Sequence, residues 1–173
     1  MVDNLADNLT IFSEWRRTSL FFCGKVRKMK EVTNLMINEF ALREKGTDFM
    51  GYSLQREGET YTFHHLIVPK RECAKKGHGH GYFRWNGAII FSNSHNYLHK
   101  IEQYDYDTFL AITSEMIDMN VQGRLTKENL LEIRRLLMDF EERYQGKLSK
   151  KGKPIIKDSY TKRLTLEQIE KRF

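Results

Sequence analysis

Cysteine is scarce in this 173-residue chain, which contains only Cys23 and Cys73. Two cysteines so far apart in sequence provide no disulfide framework, and the absence of a Cys-x-x-Cys pair excludes a cysteine-based zinc site. We therefore expect both side chains to be reduced thiols.

Long apolar runs are also absent, and no stretch approaches the roughly 20 residues that a helix needs to cross a bilayer. The first ten residues, MVDNLADNLT, are polar and acidic, whereas a signal peptide begins with a basic segment and continues with an apolar one. A hydrophobic fraction of 40% is nevertheless enough for a core. We expect a globular protein of the cytoplasm that does not bind membranes.

The net charge of +6 is unevenly distributed along the chain. Residues 1–145 contain 20 Lys and Arg against 20 Asp and Glu, whereas residues 146–173 contain nine basic and three acidic residues. We therefore predict a single globular domain over 1–145 and a basic C-terminal extension over 146–173. A basic segment suits a polyanion such as DNA or RNA, although a solvated tail would have the same composition.

Hydrophobic periodicity predicts both helices and strands in the first half of the chain. Apolar residues at three- and four-residue steps indicate a helix over 25–44, which Gly46 would end. The runs Met50–Gln55 and Thr60–His65 predict two strands of a β-hairpin joined by the turn at 56–59.

A second group of elements follows the irregular, glycine-rich stretch at 77–81. The apolar run 85–91 predicts a buried strand, and Ser92 or Asn93 would cap a helix that extends to about Gln103. Helical periodicity also predicts later helices over 106–120, 127–145 and 164–173. Together these elements predict an α+β fold.

Four of the six histidines occur in two pairs whose placement is typical of metal ligands. His95 and His99 are four residues apart in a predicted helix, so they share one face and can bind one ion. His64 and His65 end a predicted strand, in which adjacent side chains point to opposite faces. One of the two can therefore bind the metal while the other faces a substrate and takes a proton from water.

Asn86 extends this pattern, because it lies nine residues before the first helical histidine. The order His64-His65, Asn86, His95 and His99 resembles the motif of HNH, or ββα-metal, endonucleases. Within that family it is most similar to the nuclease domains of DNA-degrading bacteriocins.

The resemblance covers residues 61–101 and implies a ββα-metal (HNH) centre flanked by N-terminal and C-terminal helices. The stretch 65–69, His-Leu-Ile-Val-Pro, is similar to the run that follows the catalytic histidine in the family. His65 would be the general base, and Asn86 would orient it through a hydrogen bond. The ligands of one divalent ion would be His64, His95 and His99.

The resemblance further implies hydrolysis of DNA phosphodiester bonds, in a phage or mobile-element setting. The ion would be zinc, magnesium, manganese or nickel, and no small-molecule cofactor is expected. RNA is an alternative substrate. Many family members also bind a structural zinc through Cys-x-x-Cys pairs. Because this chain has Phe91 and Ser94 at the corresponding positions, we expect no structural zinc here.

Basic residues follow the implied base and would hold the phosphate backbone of a substrate, although a solvated surface is the alternative interpretation. They are Lys70, Arg71, Lys75, Lys76 and Arg84. His78 and His80 are rival ligands in the glycine-rich stretch, but flexible loops preorganise ligands poorly.

Two other functions are compatible with the sequence. A catalytically silent protein of this fold would bind nucleic acid or inhibit an enzyme that processes it. A metallohydrolase for another phosphate or acyl substrate is a weaker alternative, because the sequence has neither a nucleotide-binding loop nor a nucleophile elbow. His65 and Asn86 are not needed for metal binding alone, so the pattern favours the endonuclease. The oligomeric state stays open.

Overall fold

The fold is known from a computed structural model and belongs to the α+β class, as the sequence predicted. The structure describes residues 29–53, 59–73, 75–79, 81–156 and 163–173. The predictions for Cys23, for the first residues of the helix 25–44 and for His80 lie outside these ranges.

Seven helices and two strands are found within the described residues. The helices are α1 Met29–Glu39, α2 Leu42–Lys45, α3 Lys70–Cys73, α4 Ser92–Tyr104, α5 Tyr106–Gln122, α6 Lys127–Tyr144 and α7 Leu166–Arg172. The strands are β1 Tyr61–His65 and β2 Gly87–Phe91, and a 3₁₀ turn, Arg84–Asn86, leads into the second.

The predicted helix over 25–44 is interrupted near its end. Ala41 adopts a left-handed conformation (φ 51°) that separates α1 from α2, and Gly46 ends α2 with φ 58°, as expected. The other predicted helices are confirmed within one or two residues at each end.

The two strands pair with each other in an antiparallel sheet, with Tyr61 opposite Phe91 and His65 opposite Gly87. Every residue of β2 is buried. Among the described residues β1 pairs with a strand more than twenty residues later in the chain and not with 50–53, so the predicted hairpin is wrong there. The rest of the run 50–55 and most of the predicted turn at 56–59 lie outside the described residues. Residues 50–53 form no strand, apart from isolated bridging residues.

The buried carboxylate of Asp48 explains why residues 50–53 do not extend. Its Oδ1 accepts hydrogen bonds from the backbone N–H groups of Met50 and Tyr52, both at 2.9 Å, and its Oδ2 accepts one from Phe91 N–H at 2.9 Å. These contacts turn the chain sharply and fix the end of β2. The predicted side-chain cap at Ser92 or Asn93 is wrong, because α4 begins at Ser92 and no side chain of the described residues caps it.

The core lies between the sheet and the helices. Helix α4 contacts both strands, α5 contacts α4, α6 and β2, and α1 covers both strands. Fully buried side chains at this junction include Ile89, Ile90, Leu98, Ile112, Met116 and Leu137. The sheet and α4 are therefore held rigidly relative to each other.

Parts of the basic C-terminal extension pack against the rest of the chain. Leu148 bridges Pro154, and the side chain of Ile155 is buried. Arg163 bridges Tyr52 and its guanidinium forms a 2.7 Å ion pair with Glu141. This extension therefore contributes side chains to the core. Among the described residues, no helix is long and apolar enough to cross a membrane.

Candidate metal centre

Three histidines converge where the end of β1 meets the first turns of α4. Ligand nitrogens of His64, His95 and His99 all lie within 4.8 Å of one another. The closest pair, Nδ1 of His64 and Nε2 of His95, is 3.2 Å apart. These are the three residues that the sequence predicted as ligands.

The spacing of these nitrogens suits a small ion. Zinc binds imidazole nitrogen at roughly 2.0–2.1 Å, which in a tetrahedral site places two ligand nitrogens about 3.3 Å apart. The separation between His64 and His95 is already close to that value. His99 has a half-exposed side chain, so a small rotation is enough to bring its nitrogen closer.

A hydroxyl on β1 fixes the ring of His95. The Thr62 hydroxyl donates its single proton to the carbonyl of Ile90 at 2.9 Å, so at 2.9 Å from His95 Nδ1 it can only accept. The proton of neutral His95 is therefore on Nδ1, and Nε2 presents its lone pair to the cluster. Thr62 was missed from the sequence, although its position two residues before His64 places it on the same face of the strand.

His99 has a comparable partner on its own helix. Its Nδ1 lies 2.8 Å from a carboxylate oxygen of Glu102, three residues further along α4. A carboxylate can only accept, so His99 also carries its proton on Nδ1 when neutral and leaves Nε2 free. Carboxylate–histidine pairs of this kind orient metal ligands. The i, i+3 spacing is a signal that the sequence contained.

Burial favours the neutral form of His64 and His95. Burial lowers the pKa of His64 well below its usual range, and the neighbouring histidines lower it further. Burial also lowers the pKa of His95 to about 4, with a smaller contribution from His99. Metal ligation needs the neutral imidazole, so these side chains are ready to bind an ion throughout the neutral range.

His65 faces the other side of the sheet, as strand alternation predicted. Its ring packs edge-on against Phe63 at 5.0 Å and lies 5.3 Å from the ring of Tyr82. Its Nε2 is buried and has no hydrogen-bond partner within the described part of the chain. Burial and the charge of Lys70 lower the pKa of His65 to about 4.

Asn86 supports the surroundings of His65 rather than its ring. The fully buried amide accepts hydrogen bonds from the N–H groups of Ile67 and Val68 through Oδ1, at 3.0 and 2.8 Å. Through Nδ2 it donates to the carbonyls of Val68 and Gly81, at 3.0 and 3.3 Å. The expectation of a direct hydrogen bond to His65 is therefore wrong, and Asn86 instead holds the backbone on both sides of that ring.

Gly81 accepts a hydrogen bond from Asn86 and also packs closely against the ring of His65. A Cβ atom there would lie 2.3 Å from Cys73 Sγ and 3.1 Å from His65 Nε2, and the residue has φ +76°. Only glycine therefore allows the backbone to approach the ring so closely.

The Gly81→Ala substitution should accordingly destabilise the protein more than Gly79→Ala. Both glycines have positive φ, but a Cβ at Gly79 meets nothing within 4 Å. Gly79→Ala should cost roughly 1–2 kcal/mol of unfolding free energy from backbone strain alone. Gly81→Ala should cost roughly 1–3 kcal/mol more, because the neighbouring side chains must move. Equal urea midpoints for the two variants would contradict the close packing at His65.

The predicted phosphate-binding residues separate into two groups. Lys70 and Arg71 line the cleft that contains the histidines, and the side chain of Arg71 is 85% exposed. Arg84 is instead structural, because its guanidinium pairs with Glu39 at 2.7 Å and donates to the Asn120 carbonyl at 2.6 Å.

The other predicted groups lie away from the cleft. Lys75 and Lys76 are not among its described lining residues, and Lys76 forms a 3.1 Å ion pair with Glu72. The rival ligand His78 packs its ring 5.4 Å from that of Trp85 and does not join the cluster.

The cleft itself has a volume of about 1270 Å³ and runs between α1, β1 and the start of α5. Its lining includes all four paired histidines, with His65 on the opposite face of β1 from the three that converge. No family model, curated protein or solved structure matches this chain, so the functional argument rests on the site itself.

Proposed function

We propose that this chain is a metal-dependent HNH-type endonuclease that hydrolyses DNA phosphodiester bonds, with β1, β2 and α4 forming a ββα-metal centre. The observation that carries the proposal is the convergence of His64, His95 and His99 in a cleft whose lining also includes a fourth histidine, His65. A site for metal storage or structure alone has no need of the fourth imidazole.

The three converging histidines would hold one divalent ion. Bound there, the ion would polarise a phosphate oxygen and stabilise charge on the leaving oxygen. Three protein ligands leave open coordination positions, as catalytic sites require. Imidazole ligands suit zinc and nickel, and magnesium or manganese supplied with the substrate are the other candidates.

His65 would accept the proton of the attacking water. Its Nε2 is buried against Gly81, so Nδ1 is the nitrogen left to act on the cleft side. A pKa of about 4 makes free His65 a neutral but weak base. An anionic phosphate held beside it would favour the protonated form and raise that pKa.

Lys70 and Arg71 would hold the phosphate backbone at the edge of the cleft. Both side chains are exposed, and Arg71 can form two parallel hydrogen bonds with a phosphate. Contacts of this kind position a nucleic acid without reading its sequence. DNA is proposed as the substrate because the motif resembles that of the HNH endonucleases.

Plasmid cleavage tests the proposal, with His99→Ala as the variant that lacks a ligand. His99 is exposed, so its replacement should not unfold the protein. The wild type should nick or linearise a plasmid with at least one of Mg²⁺, Mn²⁺, Ni²⁺ and Zn²⁺, and a chelator should stop the reaction. His99→Ala should lose at least about 10- to 100-fold in metal affinity, the range for disturbing a ligand's support, and should lose cleavage with it.

His78→Ala is the matched control, because it removes a histidine that does not join the cluster. It should bind metal and cut DNA as the wild type does. The proposal fails if no ion supports cleavage or if His99→Ala cuts as fast as the wild type. A protein that shifts DNA in a gel without cutting it would instead be a binding protein.

A further inference from the structure

The cleft has an apolar wall that metal binding does not require. Among the described residues, Met29, Tyr106 and Leu110 are large side chains that are 47%, 58% and 47% exposed, and all three line this cleft. Three such side chains around one opening form a patch of the kind that marks a binding surface.

Aromatic rings connect this wall to the histidine cluster. The ring of Tyr106 stacks on that of Phe109, with centroids 5.8 Å apart and an interplanar angle of 26°. The ring of Phe109 lies edge-on to His64 with centroids 6.3 Å apart. The exposed face of Tyr106 is therefore a flat platform one ring away from a proposed metal ligand.

The charges of the cleft favour an anion. Its lining includes four cationic side chains, Lys30, Arg43, Lys70 and Arg71, against two acidic ones. One of the acidic groups, Glu102, is already bonded to His99. An occupant with a flat apolar part and a phosphate matches both the aromatic wall and the cationic lining.

We infer that the cleft binds an unpaired DNA strand, with one base stacked on Tyr106 and the neighbouring phosphate at the histidines. In a duplex the faces of the bases are covered by their stacked neighbours, and only base edges, sugars and phosphates are accessible to a protein. An unpaired base offers its face to an aromatic ring, which is worth roughly 1–3 kcal/mol per base. This inference rests on the proposed nuclease function and adds the form of the substrate.

Equilibrium binding without metal tests the inference independently of cleavage. The probes are a fluorescein-labelled 12-nucleotide thymidine strand and a labelled 12-base-pair duplex, each titrated in a chelating buffer and followed by anisotropy. Tyr106→Ala should weaken binding of the single strand by about 5- to 150-fold, which corresponds to the loss of one stacked base. Tyr106→Phe keeps the ring and should bind like the wild type, and the Kd for the duplex should change in neither variant.

Met138→Ala is the control, since it truncates an exposed apolar side chain on α6 that does not line the cleft. The inference is overturned if Tyr106→Ala binds the single strand as tightly as the wild type, or if it loses affinity equally for the duplex. Either result would leave metal-dependent plasmid cleavage standing. Absence of cleavage with intact, Tyr106-dependent binding would instead remove the nuclease proposal alone.

Discussion

Replacing His65 by alanine should lower the rate of plasmid cleavage by about 10²- to 10⁴-fold, the usual contribution of a positioned general base. Metal affinity should stay at the wild-type level, because His65 lies on the opposite face of β1 from the converging nitrogens. The substitution therefore separates proton transfer from ion binding, which no change within the cluster can do.

Two measurements on His65→Ala test whether this residue is the general base and not a metal ligand. Calorimetric titration with the ion that supports cleavage should give a wild-type Kd, and the initial rate of nicking should fall by the stated factor. His78→Ala serves again as the reference for removing a histidine elsewhere. If His65→Ala cuts as fast as the wild type, another group accepts the proton. If it loses the ion as well, His65 is a ligand and its assignment as base is wrong.

Replacing Asp48 by alanine should destabilise the fold by at least roughly 3 kcal/mol. The substitution leaves three buried backbone N–H groups without acceptors, those of Met50, Tyr52 and Phe91, and each orphaned donor costs about 1–3 kcal/mol. Such a loss is a large part of the stability of a domain of this size. Urea unfolding followed by circular dichroism measures it, and the exposed Glu142→Ala should stay within about 0.5 kcal/mol of the wild type.

The contribution of Asp48 to the free energy of unfolding should also depend on pH. Burial raises the pKa of this carboxyl to about 6, against the opposing effect of its hydrogen bonds. The folded state therefore favours the protonated carboxyl. The stabilisation that this preference gives is fully present below the unfolded pKa of about 4 and is lost as the pH rises through 6. The stability gap between the wild type and Asp48→Ala should be wider at pH 5 than at pH 7 by roughly 1 kcal/mol. A gap that widens from pH 5 to pH 7 would mean that the carboxylate is bound more tightly than the acid.

The sequence predicted the local elements of the fold better than their pairing. The helix ending at Gly46, the helix beginning after Thr126 and the strand ending at His65 follow from periodicity and from short-range turn chemistry. The pairing of β1 with β2 cannot be predicted in this way, because it depends on contacts between distant residues. The bonds that Asp48 accepts from Met50 and Tyr52 are local, whereas its bond from Phe91 joins distant parts of the chain and has no local signal.

In the candidate site, too, local features could be predicted from the sequence but contacts between distant residues could not. The shared face of His95 and His99 could be anticipated from their helical spacing, whereas the choice of His64 rather than His65 as the third ligand also depended on the family resemblance. Charge alone gave no way to separate Arg71, which lines the cleft, from Arg84, which is tied to Glu39. That distinction depends on which acidic and amide groups the fold brings close.

Strand β2 passes into helix α4 without an intervening loop residue, since the strand ends at Phe91 and the helix begins at Ser92. An α-helix turns about 100° per residue, so one inserted residue at this junction would rotate His95 and His99 away from β1. The interval from Asn86 to His95 therefore cannot tolerate insertions or deletions. The segment between Val68 and Gly81 is different, because Asn86 holds both of its ends. We expect changes in chain length there to leave the histidines in place, so this segment is where the protein can gain or lose residues without losing its candidate metal centre.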